Sequence, residues 1–179
     1  TDFNLDPKTA PSDGVVTGYG LIDERLVFVY CQDSSVLNGT IGEMHAKKIL
    51  NVYEKAMKMG APVIGLIDCG GVRLQEGFDA TEAIGEVIAK AVEASGVIPQ
   101  IVGVMGNCGG SLSVLPALAD FAFMEEKAKL FVNSPDAILG NSTDKNDTSS
   151  AKFQLEAGNV DAIGSQEEVF DNIRHMVSI

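Results

Sequence analysis

The chain has 179 residues, 45% of them hydrophobic, which suffices for one domain, 1–179, with a sizeable core. A formal net charge of −12 repels nucleic-acid phosphates and speaks against DNA or RNA as a partner, and no run is long and apolar enough to cross a bilayer as a helix. Three cysteines, Cys31, Cys69 and Cys108, form no C-x-x-C pair, so neither a disulfide framework nor a zinc site is expected; a reducing, cytoplasmic setting fits and no metal is predicted.

The first residue is not Met, and Thr1 to Asp13 is a short polar segment without a signal-peptide layout. Val15 to Tyr19 and Leu26 to Cys31 are β-rich and flank Asp23-Glu24-Arg25, which predicts a hairpin. Thr40-x-x-Glu43 reads as a capping box opening a helix to about Met59, with Ile41, His45, Ile49, Val52, Ala56 and Met59 as its apolar stripe. Gly60 ends it. Pro62 to Asp68 is a continuous apolar run, as in a strand buried on both faces. A Gly-rich turn follows over Cys69 to Gly77. Asp79-x-x-Glu82 is expected to cap a second helix to about Ser95.

Val97 to Met105 predicts another buried strand, followed by a second Gly-rich turn over Gly106 to Gly110 and a helix over Ser111 to Ala119, kinked or restarted at Pro116. Short strands are expected at Phe121 to Met124 and Leu130 to Asn133, with a surface loop over Asn141 to Ser150. A short helix near Ser150 to Ala157, a strand around Val160 to Ile163, and a last helix capped by Ser165-x-x-Glu168 complete the chain. Strand and helix alternating over short loops predicts an α/β fold with a mainly parallel sheet. Ligands of such sheets bind outside the carboxyl ends of the strands, which is where both Gly-rich turns should lie.

Gly70-Gly71-Val72 and Cys108-Gly109-Gly110 each offer backbone N–H groups just before a helical segment. Such donors bind negative charge, and aimed at a carbonyl they form an oxyanion hole contributing about 3–4 kcal/mol per donor. Tight turns or close helix packing would explain the glycines equally well. Gly106-Asn107-Cys108-Gly109-Gly110 also fits the pattern of a hydrolase nucleophile elbow. A nucleophilic cysteine needs a base, however, and the only histidines are His45, on an apolar stripe, and His175, in the last helical turn. A small buried cysteine is the favoured reading. Arg73 and Glu76 suit a loop-stiffening ion pair, with an anion contact by Arg73 as the functional alternative. Lys47, Lys48, Lys55 and Lys58 are interspersed with Glu43 and Glu54, as on a solvated face.

Five segments, "DGVVTGYGLIDERLVFVYCQD", "GTIGEMHAKKI", "APVIGLIDCGGVRLQEG", "ASGVIPQIVGVMGNCGG" and "LPALADFAFM", together resemble the carboxyltransferase subunits of biotin-dependent acyl-CoA carboxylases and their decarboxylase relatives. The match is colinear from about Asp13 to the C-terminus. It implies the crotonase-like ββα-spiral fold. It also implies transfer of a carboxyl group between N1 of biotin and the α-carbon of an acyl-CoA. The resemblance is to the N-terminal-type half, which holds the coenzyme A thioester. A complementary biotin-side half, a biotin carrier protein and an oligomer are therefore implied partners. Carried over by residue, the thioester oxyanion donors would be the backbone N–H groups of Val72 and Gly109, with Gly71 and Gly110 admitting close approach. Gly70, Arg73, Lys47 and Lys48 are the candidate CoA contacts. Three departures stand out. The family commonly has alanine where Val72 and Gly109 stand, proline where Asn107 stands, and a Thr-Gly-Glu stretch after the segment matching Ser134 to Ile138. The competing readings are a crotonase-like thioesterase using Cys108 and a non-catalytic assembly subunit.

Overall fold

The computed structural model describes residues 12–179, so most of the polar segment 1–13 lies outside the described residues. The chain opens with β1 (Val15–Ile22) and β2 (Arg25–Gln32), antiparallel and in unbroken register from Val15–Gln32 to Ile22–Arg25. Their two-residue turn puts both Asp23 (φ 48°) and Glu24 (φ 68°) in the left-handed region, as a tight hairpin requires.

From β2 onward the pairing is parallel. β3 (Val63–Cys69), β4 (Gln100–Gly109), β5 (Phe121–Glu125) and β7 (Ala162–Gly164) follow β2 across the sheet in that order. β6 (Lys129–Phe131) pairs with the far end of β4, where β5 has already left it. β4 thus serves two neighbours in succession, and the sheet turns a corner there. This is the mixed, mainly parallel α/β arrangement expected of the crotonase-like spiral.

Alternation along the strands separates two apolar layers. Phe28 and Tyr30, Val63 and Ile67, and Val102 and Val104 face α1 (Glu43–Met59) and α2 (Phe78–Ala94). Val27, Ile64, Ile101 and Phe123 face α5 (Gln166–Ser178), which inserts Val169, Ile173 and Val177. Each of those three side chains contributes about 1.5–3 kcal/mol by leaving water. Gly103 permits the approach: a Cβ there would stand 3.1 Å from both Ile173 Cδ1 and Leu66 Cδ2. Two short helices, α3 (Val114–Leu118) and α4 (Ala151–Glu156), cover the β6 end.

Several boundaries move from their sequence positions. The strand expected from Val97 begins at Gln100, and it runs through Gly109 instead of ending at Met105. The second Gly-rich "turn" is therefore mostly strand, followed by a 3-10 turn over Gly110–Ser113 that leads into α3. The strand expected around Val160 forms at Ala162–Gly164. Met59 lies at the exposed last residue of α1 and not in its buried stripe. Neither Thr40 nor Asp79 caps a helix: the N-caps are Gly42 and Gly77. At Ser165 the full capping box forms, with Glu168 N–H donating to Ser165 Oγ and Ser165 N–H to the Glu168 carboxylate.

Candidate active site

β3 and β4 leave the sheet side by side, with Cys69 in register with Cys108. The segments that follow adjoin. Gly71, at φ +107°, takes a conformation that L side chains rarely adopt, and a Cβ placed on it would lie 4.0 Å from Gly109 O. The expectation that both Gly-rich segments share one edge of the sheet is met.

Val72 forms an isolated parallel bridge with Ile41. Ile41 N–H donates to Gly71 O at 2.9 Å, and Arg73 N–H donates to Ile41 O at 2.8 Å. In a parallel bridge of this form the central residue turns its own N–H and C=O away from its partner. The Val72 N–H therefore faces away from Ile41, and among the described residues it takes no hydrogen-bond acceptor. Gly109 closes β4 opposite Phe131 of β6, in extended conformation. The Phe131 ring fills the space a side chain would need, because a Cβ on Gly109 would meet its edge at 2.9 and 3.0 Å.

Gly70 donates its N–H to Asn38 O at 2.8 Å, so that amide is already engaged. Asn38 belongs to a left-handed turn, Leu37–Gly39, with φ values of 51°, 56° and 63°. Asp68 turns to the opposite side of β3 from Cys69 and accepts the Asn107 N–H at 3.0 Å. Ser34, Asn38, Asp68, Gly70, Gly106, Asn107 and Lys127 line a polar cavity of about 500 Å³ along this edge. A larger cavity of about 550 Å³ lies toward α3 and α4, beyond Phe131 and away from the Val72 loop. The strand-end cavity takes in Gly70 and Asn107, each close in sequence to an expected donor, and neither Val72 nor Gly109 lines it.

Arg73 is 1% exposed, which places its guanidinium inside the protein. It donates to Asp13 Oδ2 at 3.1 Å, Asp13 Oδ1 at 2.6 Å, Glu76 Oε1 at 2.8 Å, Thr40 O at 2.6 Å and Thr40 Oγ1 at 3.4 Å. Five donors and five bonds leave none for a phosphate, so the expected anion contact at Arg73 gives way to the expected ion pair with Glu76. Burial alone would lower the Arg73 pKa, but the bonds to the two carboxylates outweigh it and hold the value above its ordinary level. The second Glu76 oxygen accepts the Glu43 N–H at 2.7 Å and caps α1 from outside that helix. Sequence reasoning paired Arg73 with Glu76 but missed Asp13, because sixty residues separate the partners.

His45 is fully buried, with Nε2 3.1 Å from the Gln32 amide and Nδ1 3.4 Å from Asp13 Oδ1. Burial lowers its pKa, and the nearby Asp13 carboxylate only partly opposes that. His175 is exposed in the last turn of α5. Neither residue is placed beside Cys108. Cys108 itself is 0% exposed, and burial pushes its thiol far above the usual range. Cys69 is pushed up to about 11, again by burial first. Both thiols are therefore packed, protonated side chains at neutral pH, which removes the basis for a cysteine hydrolase. Of the expected lysine contacts, Lys48 donates to Val15 O, whereas Lys47 pairs with Glu43 on the exposed face of α1.

Two Gly-rich segments thus meet at one edge of a mainly parallel α/β sheet, and the Val72 N–H faces outward there. The match to the carboxyl transferase domain spans residues 1–179, and the chain belongs to that family. It is 40% identical over 190 residues to the propionyl-CoA carboxylase carboxyltransferase subunit of Haloferax mediterranei, covering 98% of this chain and 35% of the relative. It is 47% identical over 138 residues to the methylmalonyl-CoA decarboxylase alpha subunit of Veillonella parvula, covering 76% and 27%. Among solved structures, transcarboxylase 12S with methylmalonyl-coenzyme A and methylmalonic acid bound superposes with a TM-score of 0.91 at 33% identity. That alignment covers 98% of this chain and 36% of the other. The chain thus spans about a third of the length of these relatives.

Proposed function

We propose that this chain is the acyl-CoA half of a biotin-dependent carboxyltransferase, and that the Val72 amide holds the thioester oxygen, whereas the Gly109 N–H expected beside it is taken up by Cys69 O in the β3–β4 ladder. The juxtaposition of Gly71 with Gly109 O, beside the outward-facing Val72 N–H, carries the reading. Loss of a proton from the α-carbon, or of CO2 from an α-carboxylate, leaves an electron pair that delocalises onto the thioester oxygen. Fixed N–H donors receive that charge at no reorganisation cost and need no titrating side chain. Gly71 and Gly110 keep side chains out of the approach. Biotin supplies or accepts the carboxyl group, and we assign it to the complementary half and its carrier protein.

The reading also implies an oligomer in which that half closes over the strand-end cavity. Transcarboxylase 12S, a hexamer that binds its substrate, supports such an assembly. Lys47 is exposed but paired with Glu43 among Asp79, Glu82 and Glu86, so neither expected lysine is free for a CoA phosphate. Three cysteines without disulfide partners suit a cytoplasmic location.

Calorimetry with propionyl-CoA and methylmalonyl-CoA, in the assembled complex, should detect binding; its absence for both would remove the proposal. Val72→Pro deletes one donor and should cost about 10²–10³ in kcat. Retained turnover would exclude that amide.

A further inference from the structure

Arg73 stands out as a fully buried cation that no part of the proposed chemistry uses directly. It is the residue immediately after the outward-facing amide. Its backbone N–H donates to Ile41 O, while Ile41 N–H donates to Gly71 O on the other side of Val72. The same side chain reaches Thr40 O, next to Ile41, at 2.6 Å. Through Asp13 it is tied to the start of β1, and through Glu76 to the first turn of α1. Three separate parts of the chain therefore meet at one guanidinium, and Val72 sits one peptide from it. A rigid planar fork can fix an orientation in a way a single ammonium cannot.

We propose that Arg73 is a positioning residue for the reaction: with Asp13 and Glu76 it clamps the Val72 peptide so that its N–H points at the thioester oxygen. The inference rests on the Val72 amide being a donor. Arg73 itself touches no substrate. Its energetic value lies in preorganisation, because a donor displaced by a fraction of an ångström still permits binding but loses strength where charge develops. Its loss should therefore appear in kcat and not in KM.

A lysine at 73 keeps the positive charge among the two carboxylates but has three donors in place of five. Arg73→Lys should lower kcat more than tenfold while KM for propionyl-CoA stays within about threefold. The spectroscopic test uses propionyl-CoA labelled with ¹³C at the thioester carbonyl, bound to the complex. Isotope-edited infrared should show the carbonyl stretch shifted to lower frequency in the wild type and returned toward the free value in Arg73→Lys. Glu76→Gln keeps an oxygen for Arg73 and relieves the net negative charge of the cluster, so it serves if Arg73→Lys does not fold. It should give a smaller loss in kcat, about three- to tenfold, with part of the carbonyl shift lost.

The outcomes separate the two ideas. No binding, no wild-type shift, or a shift that survives Val72→Pro overturns the amide donor and the clamp with it. A wild-type shift abolished by Val72→Pro but untouched by Arg73→Lys or Glu76→Gln overturns the clamp alone. So does a loss of activity that tracks only a lowered melting temperature.

Discussion

Cys108 and Arg73 show how a residue's meaning depends on what surrounds it. By sequence pattern Cys108 could sit in a nucleophile elbow, yet it lies buried in register with Cys69, with no histidine positioned to take its proton. The missing base was legible from two histidines and their helical positions. The favoured reading of a small buried cysteine is met; what the pattern did not show is how, with β4 running on to Gly109 and pairing with β6. Iodoacetamide at pH 8 should therefore leave Cys108 unlabelled in the folded protein and modify it only on unfolding. Cys108→Ala should keep most of the turnover and cost on the order of 1 kcal/mol of stability through lost packing. Rapid labelling, or complete loss of turnover without loss of fold, would restore the nucleophile. Arg73 was legible in part: the i,i+3 spacing to Glu76 is local, whereas Asp13 arrives from the far end of the hairpin.

At the scale of elements, two identical Ser/Thr-x-x-Glu patterns had different fates. Around Ser165 nothing else competes, and both reciprocal bonds form. Around Thr40 the hydroxyl donates to Leu37 O at 2.7 Å, within a left-handed turn, and the helix begins only at Glu43. Its first turn is capped by Glu76, from thirty-three residues away, and Gly42 leaves room for that carboxylate. Local pattern reads a helix start correctly only where tertiary partners do not supply a better one. The hairpin makes the same point through energy. Asp23 and Glu24 both hold positive φ, which costs a residue with a Cβ roughly 1–2 kcal/mol. Glu24→Gly gives the Asp-Gly pair this turn type favours, so the variant should be about 1 kcal/mol more stable, a rise of about 2–4 °C in melting temperature. An unchanged or lower midpoint would mean that Glu24 makes a compensating contact.

For the whole molecule, the parallel strands bring both Gly-rich segments to one edge, and the order of elements made that much readable. What pattern alone left unread was the corner at β4, since a three-residue strand such as β6 carries almost no periodicity. The same buried architecture sets how the protein answers pH. Tyr53 is pushed up to about 12 and Cys69 to about 11, mainly by burial, and Cys108 and Tyr30 are raised as well. These groups stay neutral in the folded chain but ionise once unfolded, at ordinary values of 9.0 for Cys and 10.0 for Tyr. The stability they contribute is full below about pH 9 and is lost as pH rises toward the folded values. His45 works from the other side. Burial lowers its pKa below the ordinary 6.5, so the unfolded chain takes up a proton first, and stability falls as pH drops below about 6.5. Asp33, Asp136 and Glu168 are held low by hydrogen bonds from Ser35, Thr143 and Ser165, and Asp147 first by Lys129. Their contributions disappear only at stronger acid, as pH falls through their lowered values. Melting temperature measured in reducing buffer should therefore be greatest between about pH 6.5 and 9 and decline on both flanks. The alkaline decline should weaken in Cys69→Ala, which removes one of the groups that must ionise. A midpoint that keeps rising above pH 9 would show that the thiols and phenols are more solvated in solution than their burial implies.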